Sequence, residues 1–391
     1  MAKGLDKRKN EKKKEPLKER KIDKKNKPKE ILFINLMKKL ILVFVIILVS
    51  LFIVFLSIDS SKNPELLSNN DPSKYVLVED IVWSSPKGMD LTLDIFTPIS
   101  KKESYPVLII FHGGGWLIND NSIMDQMSQY LATNAEYVVC NVNYRLLSDL
   151  GNTVTLDEIV EDAFGAVIWI KHNIFKYKGD NTKIAVTGDS AGAHLSAMIV
   201  NSGTKLSSDT KFEENLSFTP TYLPKGKTAE QAAIERDLKV QAAILSYGAF
   251  DIYKSSFDGF ETFKNPFWLL SRSKARGIFG NHYNAEENSN MYQALSPIYN
   301  IPKREDRVLP PQFFIVGSKD SLTTPASVRQ YIEKLELFNH KTEYWEYEDK
   351  SHAFLDSGSN FFLGSNFKED APQAIDMMIE FLDRVFNIEK E

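Results

Sequence analysis

Gly188-Asp189-Ser190-Ala191-Gly192 sets a serine between two glycines, where the apolar run KIAVTG (183–188) meets the helical run SAGAHLSAMIVN (190–201). A strand that turns straight into a helix bends so sharply that only glycine fits two residues before and two after the serine. The serine is then held in a strained backbone state, its Oγ above the strand end and a helix N-terminus beneath it. Alone the pattern recurs by chance; the strand and helix around it give it weight. The second cluster, His112-Gly113-Gly114-Gly115-Trp116, follows directly on the run VLIIF. Each glycine costs a regular element up to ~1 kcal/mol, so three in a row mark either a plain strand-ending turn or backbone that must come close to something. With the serine motif downstream, the run can supply N–H groups fixed in advance to meet negative charge developing on a carbonyl oxygen. Ser190 is the candidate nucleophile, Gly114, Gly115 and Ala191 the candidate donors of an oxyanion hole, and His112 a ring that can brace the loop.

Positioning these groups requires a sheet. Short β-rich runs open the body of the chain, YVLVEDIVW and LTLDIFTP, followed by YPVLIIFH (105–112) and EYVVCNVNY (136–144). Continuous apolar stretches such as VLII and YVVC predict strands buried on both faces, which need helices above and below. Leu156 to Asn173 answers that need, with Ile159, Ala163, Ala166, Val167 and Ile170 on one face of a helix. Further strands are predicted at KVQAAILSYG (239–248), PQFFIVG (311–317) and KTEYWEYE (341–348), with helices at 325–338 and about 371–387. The alternation predicts an α/β fold with a mostly parallel sheet and helices on both faces. Two segments break it. Residues 203–237 are polar and read as a long excursion; residues 251–300 are rich in aromatics without strand alternation, either ordinary core or a helical lid over the active face.

HGGGW together with GDSAGAHL resembles the hormone-sensitive-lipase-like and carbohydrate-esterase-like branch of the α/β-hydrolases, and NYRL (143–146) is similar to the segment after the next strand in those enzymes. The resemblance covers about residues 76–388 and is specific to the branch rather than to a substrate. It implies the chain order Ser, Asp, His, with the acid just after the penultimate core strand and the base in a loop after the last. Asp320, in FFIVGSKDSLTTP, and His352, in EYEDKSHAFLD, stand at those places. Ala353-Phe354 replaces the usual Gly-Phe, and the distance from Ser190 to Asp320 is longer than the family leads one to expect, which the excursion 203–237 accounts for. Asp251, at the end of SYGAFD, is the rival acid. His172, His194, His282 and His340 are weaker candidates for the base, being within or near helices, in loops or in the presumed lid.

Outside that body, residues 1–39 carry 16 Lys+Arg against 6 Asp+Glu, and the rest of the chain 32 against 46. The basic head has no stacking aromatic in its Lys-rich run, which argues against a nucleic-acid arm and for a topology signal that touches anionic lipid. Leu40 to Ile58 is an uncharged 19-residue stretch, about the ~20 residues that span the hydrocarbon layer. Lys38-Lys39 before it predicts a cytoplasmic head and an external body; a signal peptide, with a shorter apolar core and an Ala-x-Ala site, fits less well. Residues 59–75 have the composition of a stalk, and 76–391 form the catalytic domain. Cys140 is the single cysteine, so no intramolecular disulfide and no Cys-rich metal site is possible.

The resemblance implies a serine carboxylic-ester hydrolase with an acyl-enzyme on Ser190 and no need of a metal or organic cofactor. Its expected substrates are small acyl or carbohydrate-linked esters at the outer membrane face. A serine peptidase of the same fold, which usually carries a further substrate-selecting domain, and an inactive binding module are the alternatives. Oligomeric state is not read from the sequence.

Overall fold

Apolar runs without charge become the middle strands. In the computed structural model, which describes residues 73–388, eight strands form one sheet: β1 Tyr75–Ser84, β2 Leu91–Pro98, β3 Tyr105–Phe111, β4 Val138–Val142, β5 Gly179–Asp189, β6 Ala242–Ser246, β7 Gln312–Gly317 and β8 Thr342–Tyr347. Their order is β1-β2-β4-β3-β5-β6-β7-β8. The first two pairings, β1 with β2 and β2 with β4, are antiparallel, and the remaining five are parallel. Every residue of β4, β6 and β7 is buried, whereas β1 and β8 keep exposed positions. That gradient is what a sheet covered on both faces at its centre and wetter at its edges requires.

Five helices of ten residues or more cover the sheet among the described residues: α1 Asp125–Asn134, α2 Leu156–Asn173, α3 Ala191–Ser202, α4 Pro325–Leu337 and α5 Phe367–Phe386. The start of α2 is fixed by a capping box between Thr155 and Glu158, two orphan donors satisfied reciprocally. Its five predicted face residues are all buried. Helix α3 is buried along its whole length, as befits a helix that leaves the centre of the sheet.

The excursion 203–237 folds back on α2. Thr219 N donates to Glu161 Oε1 at 2.7 Å and Thr221 N to Glu161 O at 3.1 Å, while a Cβ on Gly165 of α2 would lie 2.7 Å from Tyr222 N. Besides the short helices Asp149–Asn152, Phe212–Asn215 and Ala229–Ile234, two elements were not predicted: α1, whose polar sequence DQMSQYLATN has little apolar period, and the two-stranded pair 359–360 with 365–366. Helix α5 begins at Phe367, ahead of the predicted start near 371, with Asn366 accepting from Lys368 N at 3.0 Å. No helix among the described residues is long and apolar enough to cross a membrane, and the predicted head, anchor at 40–58 and most of the stalk lie outside the described residues.

Candidate active site

Strand β5 occupies the middle of the sheet, and the nucleophile candidate sits on its exit. Ser190 has φ 49° and ψ −111°, a backbone state that costs a non-glycine residue of order 1–3 kcal/mol and persists only where surroundings hold it. What holds it is the hydrogen bond of Ser190 N to Ser246 O on β6, 2.9 Å, and of His194 N to Ser190 O, 3.2 Å. A Cβ on Gly192 would overlap the carbonyl oxygen of Phe111, and one on Gly188 the carbonyl of Gly192. Both glycines are therefore fixed by close approach of backbone to backbone.

Strand β7 ends at Gly317, and the turn after it carries Asp320, 4% exposed. Asp320 Oδ1 accepts from Leu322 N at 2.8 Å and Thr323 N at 2.9 Å; Oδ2 accepts from Thr323 Oγ1 at 3.1 Å and lies 2.7 Å from His352 Nδ1. Two backbone N–H groups and the ring N–H of His352 hold the carboxylate in place. Its bond to Nδ1 selects the tautomer that leaves Nε2 as the free ring nitrogen of His352. His352 follows β8 and is 6% exposed; its ring meets Tyr247 at 4.7 Å between centroids. A Cβ on Gly317 would collide with the backbone of Lys350, so the acid's strand presses on the loop that bears the base.

Ser190, Ala191, Gly115 and His352 all line one cavity of about 560 Å³. Gly114 and Gly115 have φ of 116° and 61°, the left-handed region open to glycine. Gly114 O accepts from Leu117 N and Ile118 N at 3.1 and 3.2 Å, which closes the loop into a tight turn. His112 Nδ1 donates to Gly113 O at 2.7 Å, its ring stacks on Tyr144 at 4.3 Å, and Tyr144 Oη donates to His112 O at 2.6 Å. Burial pushes His112 down to about 4, so it remains a neutral brace.

The rival residues are engaged elsewhere. Asp251 caps the short helix Ile252–Phe257 by accepting from Lys254 N at 2.9 Å, though it also lines the cavity. His194 Nε2 donates to Leu295 O, His340 Nε2 to Pro302 O, His172 stands 3.6 Å from Asp237, and His282 is exposed. From 251–300 the cavity takes Phe260, Pro266, Phe267 and Ile298 among its lining; from 203–237 it takes nothing.

Sequence reasoning missed three supports. Asp189 is 2% exposed and accepts from Gly113 N–H, tying the serine turn to the glycine loop; burial raises it to about 6, with the His352 charge pulling the other way. Thr323 Oγ1 donates to Tyr247 O at 2.7 Å and stands 3.2 Å from His352 Nδ1. Tyr247, with φ 38°, ties down the loop that bears His352, since its Oη accepts from Leu355 N at 3.2 Å. Only Asp189 had a signal, as the variable position inside the serine motif.

A family model, BD-FAE, matches residues 93–335. Carboxylesterase NlhH of Mycobacterium tuberculosis is 31% identical over 110 residues, 28% of this chain and 33% of that protein. Esterase LipQ of the same organism is 26% identical over 272 residues, 69% of this chain and 55% of that one. The chain thus spans about a third to a half of the length of these curated relatives. Among solved structures, propionate-bound esterase 2 of Thermogutta terrifontis superposes with a TM-score of 0.56 at 20% identity, covering 80% of this chain and 96% of the other. That likeness establishes the α/β-hydrolase fold.

Proposed function

Because the chain belongs to the BD-FAE family, we propose that it is a serine carboxylic-ester hydrolase working through an acyl-enzyme on Ser190. The observation that carries the reading is the 2.7 Å bond of Asp320 to His352 in a loop that shares the cavity of Ser190. His352 Nε2 takes the Ser190 proton as Oγ attacks the ester carbonyl; Asp320 stabilises the imidazolium that forms. The oxyanion is met by the N–H groups of Gly114, Gly115 and Ala191. The tetrahedral species collapses as the imidazolium protonates the departing alkoxide. Water, deprotonated by His352, then attacks the acyl group and releases the acid and free Ser190.

Small acyl or carbohydrate-linked esters are the proposed substrates, and segment 251–300 the proposed lid, supported by Phe260, Pro266 and Phe267 at the cavity wall. Placement at the outer membrane face rests on the uncharged run 40–58 behind Lys38-Lys39. The test is hydrolysis of p-nitrophenyl esters from acetate to palmitate, wild type beside Ser190→Ala. Activity lost in the variant with its fold intact supports the reading; a folded wild type inert on every ester, acetylated oligosaccharides included, overturns it.

A further inference from the structure

Residues 262–274, TFKNPFWLLSRSK, form the outer corner of the cavity rim. Three apolar side chains stand out of it into solvent: Phe263 at 88%, Leu269 at 79% and Leu270 at 39% exposure. Fully exposed apolar groups are ordinary when scattered; here they share one corner with three exposed cations, Lys264, Arg272 and Lys274. None of these cations makes a salt bridge among the described residues, and no acidic residue occurs in the segment. The corner is built rather than loose. Trp268, 2% exposed, donates Nε1 to Phe260 O at 2.8 Å and lies under the Arg276 guanidinium; Asn265 accepts from Phe267 N and donates to Phe260 O. One turn of helix, Pro266–Leu270, therefore buries its Trp and turns both leucines outward.

The surrounding body is acidic, with 46 Asp+Glu against 32 Lys+Arg after residue 39. On a body with that balance, a stretch carrying three exposed cations and no carboxylate of its own is attractive to an anionic surface. Side chains that stand this clear of their neighbours suit insertion into a yielding interface better than packing into a protein groove. We propose that residues 262–274 dock on an anionic lipid surface, with Phe263, Leu269 and Leu270 entering the headgroup boundary and Lys264, Arg272 and Lys274 pairing with lipid phosphate. Because Lys264, Pro266 and Phe267 also line the cavity, docking sets the cavity mouth beside the interface. This surface does not depend on the hydrolase reading.

The experiment uses the full chain carrying Thr262→Cys, labelled with an environment-sensitive fluorophore; Cys140 is fully buried and stays unlabelled. Vesicles of phosphatidylcholine, with or without phosphatidylglycerol, contain doxyl-labelled lipid as quencher, and a Glu213→Cys label serves as the control position. The expected result is several-fold stronger quenching at 262 than at 213 on phosphatidylglycerol vesicles, falling about tenfold when Lys264, Arg272 and Lys274 become Glu. Circular dichroism and the thermal midpoint, which do not depend on activity, show that the Lys264→Glu, Arg272→Glu and Lys274→Glu variants are folded. A label at 262 that stays in water on every vesicle overturns the proposal, as does quenching that ignores lipid charge. So does burial of the label only against a soluble protein, which would make the corner a protein interface.

Discussion

Asp320 meets His352 through one carboxylate oxygen and gives the other to two backbone N–H groups. Asn at 320 could keep the backbone bonds and the shape, but its NH₂ would face Nδ1 and favour the tautomer with its proton on Nε2, which cannot act as base. Asp320→Asn is therefore expected to lower kcat by roughly 10⁴-fold with little change in KM, read in steady-state ester kinetics with circular dichroism as the fold control. Thr323→Val removes the hydroxyl that joins Asp320, His352 and the Tyr247 carbonyl. The expected loss is about tenfold in kcat with KM little changed, since the hydroxyl helps to hold the imidazole and its carboxylate in register; a change confined to KM or to the thermal midpoint would assign Thr323 to packing alone.

At the scale of elements, close approach of backbones sets the geometry. Gly192→Ala would drive a methyl into the Phe111 carbonyl and Gly317→Ala one into the backbone of Lys350. Each is expected to cost about 1–3 kcal/mol or more, seen as a lower thermal midpoint; the second also parts acid from base, so its activity should fall further than its stability. Glu161 clamps the excursion 203–237 to α2 while burial, with Asp157 and Asp162 nearby, pushes it up to about 8. A folded-state value above the ordinary 4.5 means that its contribution is greatest at low pH and is lost as pH rises through about 8. Glu161→Gln should flatten that decline, and thermal midpoints from pH 5 to 9 check it. These elements also show what the sequence made legible. Charge-free runs such as VLII and YVVC announced buried strands, and the glycines at 188 and 192 announced the turn, because sterics there leave little choice. The α1 helix and the 359–366 pair were invisible because tertiary contacts, not local period, hold them: Gln126 N donates to Ser357 Oγ and Gln126 Oε1 accepts from Gly358 N. Asp320 and His352 came from family order, since nothing in SKDS or KSHA taken alone separates them from other polar turns. The supports Thr323 and Tyr247 lie on different turns and had no signal along the chain.

For the molecule as a whole, segment 251–300 and the sheet meet over the glycine loop, where a Cβ on Gly115 would come within 3.2 Å of the Phe267 ring. Phe267→Ala should open that side of the cavity and move the preferred acyl length upward, with a several-fold rise in kcat/KM for longer chains relative to acetate; a uniform fall across the series would mean that Phe267 only seals out water. The placement of the three reacting groups has a further consequence. Ser190 leaves β5, Asp320 leaves β7 and His352 follows β8, and these strands join only through parallel pairings between distant parts of the chain. Contacts of that kind form slowly, because loop closure must precede them. During refolding, helical signal should therefore recover well before any ester is cleaved, and turnover becomes a clock for the docking of the sheet's last edge.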